Sequence, residues 1–486
     1  MISVQAKAGV GADPEAEIPL REKCAYGFGN FASVLYWQTF MVYLAFFYTD
    51  VFGLTAAATG LMLGLSRSLD AFVDPLMGML ADRTASRWGK FRPYLLWLGV
   101  PLALAGVATF TVPAFSPAGK LLWAIVTYNV LMLLYTGINV PYAALMGVMS
   151  PNPAERMRLS SIMLIGAFTA GNVISWTLLP LVNGLGRGRA ADGWRDAFIL
   201  IGAVAVGSFL VTFAHSRERV VAPQAQPASV RRDLGDLVTN GPWLILLAAT
   251  VTFVLFGAVR ASVSAHYFKY FVGPQRVSLP SFLPWIGGEH VRSFASLVSA
   301  FNGVGQAASL AGVLLMPLLV RRLGSKAVLV SSFGVGIAGT AASYFPAPDQ
   351  VGLIFLLNVI VAFCSGLAFV LLWPMCADTA DYAEWKTGRR ATGLVLSASI
   401  LAQKQGWAIG AWLALGLLGH FGFRANQIQS PRTLHGLVLL MSLIPAALGA
   451  LSLVIVLFYP LTESRLRQIT ADLKTRRTRA DAAGGR

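Results

Sequence analysis

Twelve apolar runs, each close to the thickness of a bilayer's hydrocarbon core in length, leave this chain few folds to adopt. They fall at 24–48, 57–81, 92–113, 120–149, 159–183, 194–214, 242–271, 293–320, 326–345, 351–376, 392–418 and 434–459. A helix needs about 20 predominantly apolar residues to cross the hydrocarbon. In lipid a segment must satisfy its own backbone polar groups, so runs of this length are helices. Hydrophobic residues make up 56% of the 486 and charged residues 12%, about half the ~25% of a soluble domain. The expected fold class is an all-α membrane protein with twelve transmembrane helices.

The net charge of +16 invites a nucleic-acid reading, but the charge distribution excludes nucleic acid as a partner. With both termini cytoplasmic, inside segments hold about 26 of the 38 Lys and Arg, outside segments about 9, and Arg67, Arg260 and Lys404 lie within spans. This is the positive-inside bias. The partner it implies is the bilayer, with the tail from Arg465 to Arg479 at its anionic cytoplasmic surface. Residues 1–22 lack a basic-then-apolar signal pattern, so no cleaved signal peptide is expected. Cys24, Cys364 and Cys376 form neither a disulfide framework nor a zinc spacing. With no nucleotide loop and no metal-binding His pair, neither an enzyme nor a cofactor is expected.

Loops are short except for two. Residues 215–241 read as a flexible cytoplasmic linker between an N-terminal six-helix lobe, 1–214, and a C-terminal one, 242–460; a basic tail, 461–486, follows. Residues 273–292 form the longest outside loop. Charged clusters recur at matching places in the two halves: Asp82-Arg83 and Arg87 to Arg92 after span two echo Arg321 to Lys326 after span eight, and Glu155 to Arg158 after span four echoes Asp381 to Arg390 after span ten. Parallel repeats of this kind predict a site near the membrane midplane, between halves; a monomer is expected.

Within the second run, Arg67, Asp70 and Asp74 are spaced three and four apart and so share a helix face. A charge at the bilayer centre costs at least ~2.5–3.5 kcal/mol, and such residues face a cavity and serve ions, protons or substrates by default.

The residues then become specific. Tyr26-Gly-Phe-Gly29, Tyr48-Thr-Asp50, Asp70-Ala-Phe-Val-Asp74-Pro75, Arg87-Trp-Gly-Lys-Phe-Arg-Pro93, Tyr267-Phe-Lys-Tyr270 and Ala377-Asp378 through Arg389 together resemble the glycoside–pentoside–hexuronide:cation symporters of the major facilitator superfamily. The resemblance covers essentially 24–465. It implies a secondary active symporter in a bacterial inner membrane, taking up a glycoside, oligosaccharide or uronide with H⁺ or Na⁺ by alternating access between two six-helix lobes. A lysolipid or other amphiphile on the same fold is the alternative. By position, the resemblance assigns Asp70, Asp74, Thr136, Asn139 and Lys404 to the cation. Tyr135 falls where the family lines its cavity, and Phe369 where an aromatic packs on sugar. The span-five arginine that holds sugar in that family has only Met163 or Leu164 nearby, and two further carboxylate positions are Val34 and Asn139.

Sugars are gripped by aromatic faces and a few polar groups. Trp37, Gln38, Tyr135, Phe369, Trp373, Gln403 and Trp407 supply both, and Arg260 is a candidate for an acidic substrate. Pro374 after Trp373 predicts a bend, and His266 reads as an interfacial polar residue. Few acids and nearby bases favour H⁺ over Na⁺. Asp82, Arg83, Arg87, Lys90, Arg92, Asp378, Asp381, Glu384 and Arg389 are expected to form a cytoplasmic gate of salt bridges.

Overall fold

The structure, a computed structural model, describes residues 17–219, 239–279, 288–387, 392–461 and most of 465–475. Arg389 and linker residues 220–238 lie outside the described residues. Twelve helical segments follow the apolar runs. They are α1 (Leu20–Val42, continued by Leu44–Phe46 and a π turn, Phe47–Val51), α2 (Ala56–Arg83), α3 (Pro93–Thr109), α4 (Pro117–Met149), α5 (Pro153–Gly186), α6 (Ala190–His215), α7 (Gly241–His266, continued by a π turn, Tyr267–Val272), α8 (Phe294–Leu323), α9 (Ser325–Ala342), α10 (Val351–Thr387), α11 (Thr392–His420) and α12 (Pro431–Met441 with Leu443–Leu457). By length and composition eight described helices can cross a membrane, and the bent α1 makes a ninth. α3 is a shorter apolar helix, and α2 carries the charges already noted.

The helices overrun the hydrophobic runs. α10 continues to Thr387, so Asp378, Asp381 and Glu384 sit on its last turns rather than in a loop. Their spacing of three places them on adjoining positions of one face. Glu155 and Arg158 likewise belong to the first turns of α5. Pro374 does not end α10, as is common in transmembrane helices, where neighbouring groups re-satisfy the freed carbonyl. α1 contains a sharp turn: its two parts meet at 55°. No proline lies there. Tyr43 has a stretched φ within the right-handed region (φ −116°, ψ −18°) and a π turn follows, one of the recognised causes of a kink. In the long loop, a hairpin pairs β1 (Gln275–Leu279) antiparallel with β2 (Gly288–Arg292), Gln275 opposite Arg292.

The chain forms two compact units. Unit one is Met1–Phe40 with Leu69–Ala225, and unit two is Met41–Ser68 with Gln226–Arg486. In unit one α3 packs between α6 and α4, and α5 on α6. Phe110, at the C-terminal end of α3, stacks with Trp194 and Phe198 in the first turns of α6. α1 and α5 approach closely: a Cβ on Gly166 would stand 2.4 Å from the Gly27 carbonyl oxygen. In unit two α7 packs on α11 and α12, and α10 on α8 and α9, around Leu246, Phe253, Phe333, Leu371 and Met375.

Glutamates missed as structural elements in the sequence organise one end of unit one. Glu22, 5% exposed, holds the Arg219 guanidinium through two bonds of 2.7 and 2.6 Å. That carboxylate raises the Arg219 pKa further above its usual range. Glu155 accepts from Lys23 at 2.8 Å and from the Ile18 amide at 3.0 Å. Glu218 accepts from the backbone amides of Lys90, Phe91 and Arg92 at 2.8, 2.8 and 3.0 Å. It thus places a negative charge at the N-terminus of α3, where the helix dipole favours one. Gly89 allows this: its φ is +108°, and a Cβ there would lie 2.6 Å from the Glu218 carboxyl. Glu218→Ala strips three donors of their acceptor. With water recovering part of the loss, it is expected to destabilise by about 2 kcal/mol and to speed tryptic cleavage at Arg87 and Lys90. An unchanged cleavage rate would contradict the capping role.

Candidate functional site

α2 separates lipid-type and polar faces. Leu65, Leu69, Phe72 and Leu76 form an exposed apolar stripe, whereas Arg67 and Asp70 are each 6% exposed. Asp74 is half-buried. Opposite Asp70, α4 supplies Thr136, whose hydroxyl donates to Asp70 Oδ1 at 2.7 Å. A hydroxyl aimed at a carboxylate oxygen satisfies the ionised form of the acid. One turn along α4, the Asn139 amide donates to its own helix at the Tyr135 carbonyl (2.9 Å). Its side-chain oxygen is thereby set apart from that bond as an acceptor. Tyr135 stands within electrostatic range of both Asp70 and Asp74. Asp70, Asp74, Tyr135 and Thr136 are therefore brought together in unit one, with Asn139 one turn away.

The aromatic candidates divide between the units. Trp37 stacks on Tyr135, centroids 6.2 Å apart and planes at 19°, so the indole extends the tyrosine face beside the acids. Gln38 points elsewhere, donating to Ser175 of α5 at 3.3 Å. In unit two, Phe369 and Trp373 lie four apart on α10, while Gln403, Lys404 and Trp407 lie within about one turn of α11. Phe369 is 43% exposed; the other four are half-buried. Arg260 lies on α7, among Tyr267, Phe301, Ser343, Ile354 and Met441, none of them an expected sugar contact.

Several expected gate residues have partners inside unit one. Lys90 pairs with Asp82 at 2.9 Å. Arg92 donates to the Phe213 carbonyl at 2.6 Å and lies over the Phe213 ring. Arg87 lies over Trp88.

A second polar centre was not assembled from the sequence. His266 is fully buried, because α7 turns that face toward the Leu44–Val51 part of α1. Its Nε2 is 2.8 Å from Thr49 Oγ1 and 3.3 Å from Asp50 Oδ2. The Asp50 carboxylate, itself sealed from solvent, also accepts from Lys269 Nζ at 2.7 Å, from Thr49 at 2.7 Å and from the Tyr270 hydroxyl. Asn426, in the left-handed region at φ +57°, closes the ring. Its Oδ1 accepts from Lys269 at 2.6 Å and its Nδ2 donates to the Asp50 carbonyl at 2.8 Å. Both π turns carry members of this cluster, and π geometry concentrates at functional positions. The usable signal was Asp50 itself, an acid at the end of an apolar run, to which the reasoning applied to Asp70 extends.

A family profile described as MFS/sugar transport protein matches residues 25–285 and 288–463. The chain is 33% identical to the putative glycoside/cation symporter YagG of Escherichia coli K12, over 94% of this chain and 95% of the relative. It is 31% identical to the isoprimeverose transporter of Lactiplantibacillus pentosus, over 96% and 93%. The solved structure of a D-xylose-proton symporter superposes with a TM-score of 0.60 at 14% identity, over 91% of this chain and 97% of that one, which establishes the major facilitator fold. The paired acids on α2, the glycine-rich start of α1 and the matched length converge on one placement: the chain belongs to the MFS/sugar transport family, in its glycoside–pentoside–hexuronide:cation symporter branch.

Proposed function

We propose that the protein is a secondary active symporter that takes up a glycoside, oligosaccharide or uronide together with H⁺, by alternating access between lobes 1–214 and 242–460. It works as a monomer in a bacterial inner membrane with both termini in the cytoplasm. The observation that carries the reading is the buried Asp70 carboxylate held by Thr136 beside Asp74. A buried carboxylate that accepts a charge-assisted bond and has a second acid one turn away is the kind of intramembrane group that serves proton transfer. Na⁺ is the competing ion and would draw on the oxygens of Asp70, Asp74, Thr136 and Asn139. Lys404 exchanges carboxylate partners during the cycle. Trp37 and Tyr135 offer one aromatic wall to the sugar, and Phe369, Trp373 and Trp407 another, with Gln38 and Gln403 as polar contacts. Asp82, Arg83, Arg87, Lys90 and Arg92 form the inner gate with Asp378, Asp381, Glu384 and Arg389. The names of the relatives support a sugar and give no support to an amphiphile.

The test is counterflow in proteoliposomes with labelled neutral disaccharides, uronides and lysolipids, under an imposed proton or sodium gradient. Uptake of a glycoside or uronide driven by an acid-outside gradient is expected. Accumulation driven by sodium alone would replace H⁺ with Na⁺ in the mechanism. Exchange of lysolipid only would overturn the substrate class.

A further inference from the structure

Arg260 sits two turns before the end of α7, with Tyr267 seven residues on and so on the same face. Together they line a cavity inside unit two whose other walls are Phe301 of α8, Ser343 at the end of α9, Ile354 of α10 and Met441 of α12. Arg260 is half-buried, and its Nε is sealed with no hydrogen-bond partner. Among the described residues, no carboxylate pairs with it. An arginine is charged at every accessible pH, and a buried charge is ordinarily paired. The remaining polar groups on the wall are hydroxyls. Ser343 already donates to the Gly339 carbonyl, while the Tyr267 hydroxyl is available as a donor beside Arg260. The cavity thus combines donors, a positive charge and an apolar lining, with no acid to neutralise it.

We propose that this cavity is a site for one small inorganic anion, a halide in size and charge, bound by the Arg260 guanidinium and the Tyr267 hydroxyl. The size argument decides against a sugar acid. The free interior admits a guest about as large as one water molecule, and Met441 on the wall is the kind of side chain that yields slightly to a larger sphere. A pyranose ring with its carboxylate does not fit. The bound anion neutralises a charge in the helix bundle of unit two and so stabilises that bundle, independently of the acids on α2 and of the sugar-symport reading.

The experiment is thermal unfolding of the purified full-length protein in detergent, titrated with sodium chloride or bromide against sodium gluconate at constant ionic strength and fixed pH. A saturable rise in the unfolding temperature with chloride and bromide, absent with gluconate, is expected, since a ligand that binds only the folded state stabilises it by mass action. Arg260→Gln should remove the halide response. Tyr267→Phe keeps the charge and drops one donor, and is expected to weaken the apparent halide affinity about tenfold. It serves as the informative variant if Arg260→Gln does not fold. Equal unfolding temperatures in chloride and gluconate would overturn the proposal. So would a halide response unchanged in both variants, or stabilisation by glucuronate through Arg260 in place of halide. None of these readouts depends on transport, so failure here leaves the symport reading untouched.

Discussion

Proteoliposomes carrying Asp70→Asn are expected to exchange labelled sugar down its gradient yet fail to concentrate it, with accumulation falling to the level seen without an ion gradient. The substitution keeps the size of the side chain and most of its hydrogen-bonding capacity, but it removes from this position the negative charge able to take up a proton. Thr136 now donates to a neutral amide oxygen, and the charge-assisted part of a bond worth about 1.5–3 kcal/mol disappears. Thr136→Ala makes a graded comparison. It leaves the carboxylate but deletes the hydroxyl at 2.7 Å, so the apparent ion affinity is expected to change by about tenfold while accumulation persists. Asp70→Asn protein that still concentrates sugar against its gradient would remove this carboxylate from the coupling mechanism.

Asp50→Asn is expected to be the most destabilising single change in unit two. Asp50 holds Lys269, Thr49, Tyr270 and His266, and its charge balances that of Lys269. Removing one partner of a buried pair costs about 3–5 kcal/mol, chiefly because the other charge is stranded. Here Lys269 retains some solvent access, 21% at its side chain, so the lower end of that range applies. The double variant Asp50→Asn with Lys269→Met should recover part of the loss. A coupling free energy of at least about 1 kcal/mol between the two sites in thermal or denaturant unfolding supports the pair as the organiser of the cluster, and additive effects would rule that out.

The helices were legible because membrane insertion imposes a length and a composition that few other structures share. Their ends were not. α10 runs on past the apolar stretch to Thr387 and carries Asp378, Asp381 and Glu384 with it, because nothing in hydropathy marks where a helix stops once it reaches water. The acids of α2 were readable for a related reason: charge at apolar depth stands out against its surroundings. Thr136 and Tyr135 needed the family resemblance, since a threonine or a tyrosine inside a span carries no such contrast. Asp50 and His266 are 216 positions apart, and only folding decides which face of α7 turns inward. That is why His266 looked interfacial and is fully buried. Glu218 lies 126 to 128 positions from the amides it caps, beyond the reach of any local pattern.

The segment Met41–Ser68, encoded among the first residues of the chain, is a working part of unit two. It supplies Asp50 to the buried cluster, and at Gly60 it offers a bare backbone surface on which Leu415 and the Trp412 carbonyl rest, 3.0 and 3.2 Å from where a Cβ would be. A gene cut within 215–241 would therefore yield a carboxyl-terminal product lacking both its clasp and one of its packing strips. Complementation of two such fragments would require the amino-terminal piece to lend a stretch of helix, bend and turn, so that the carboxyl-terminal piece could not mature as a self-sufficient bundle before meeting the other.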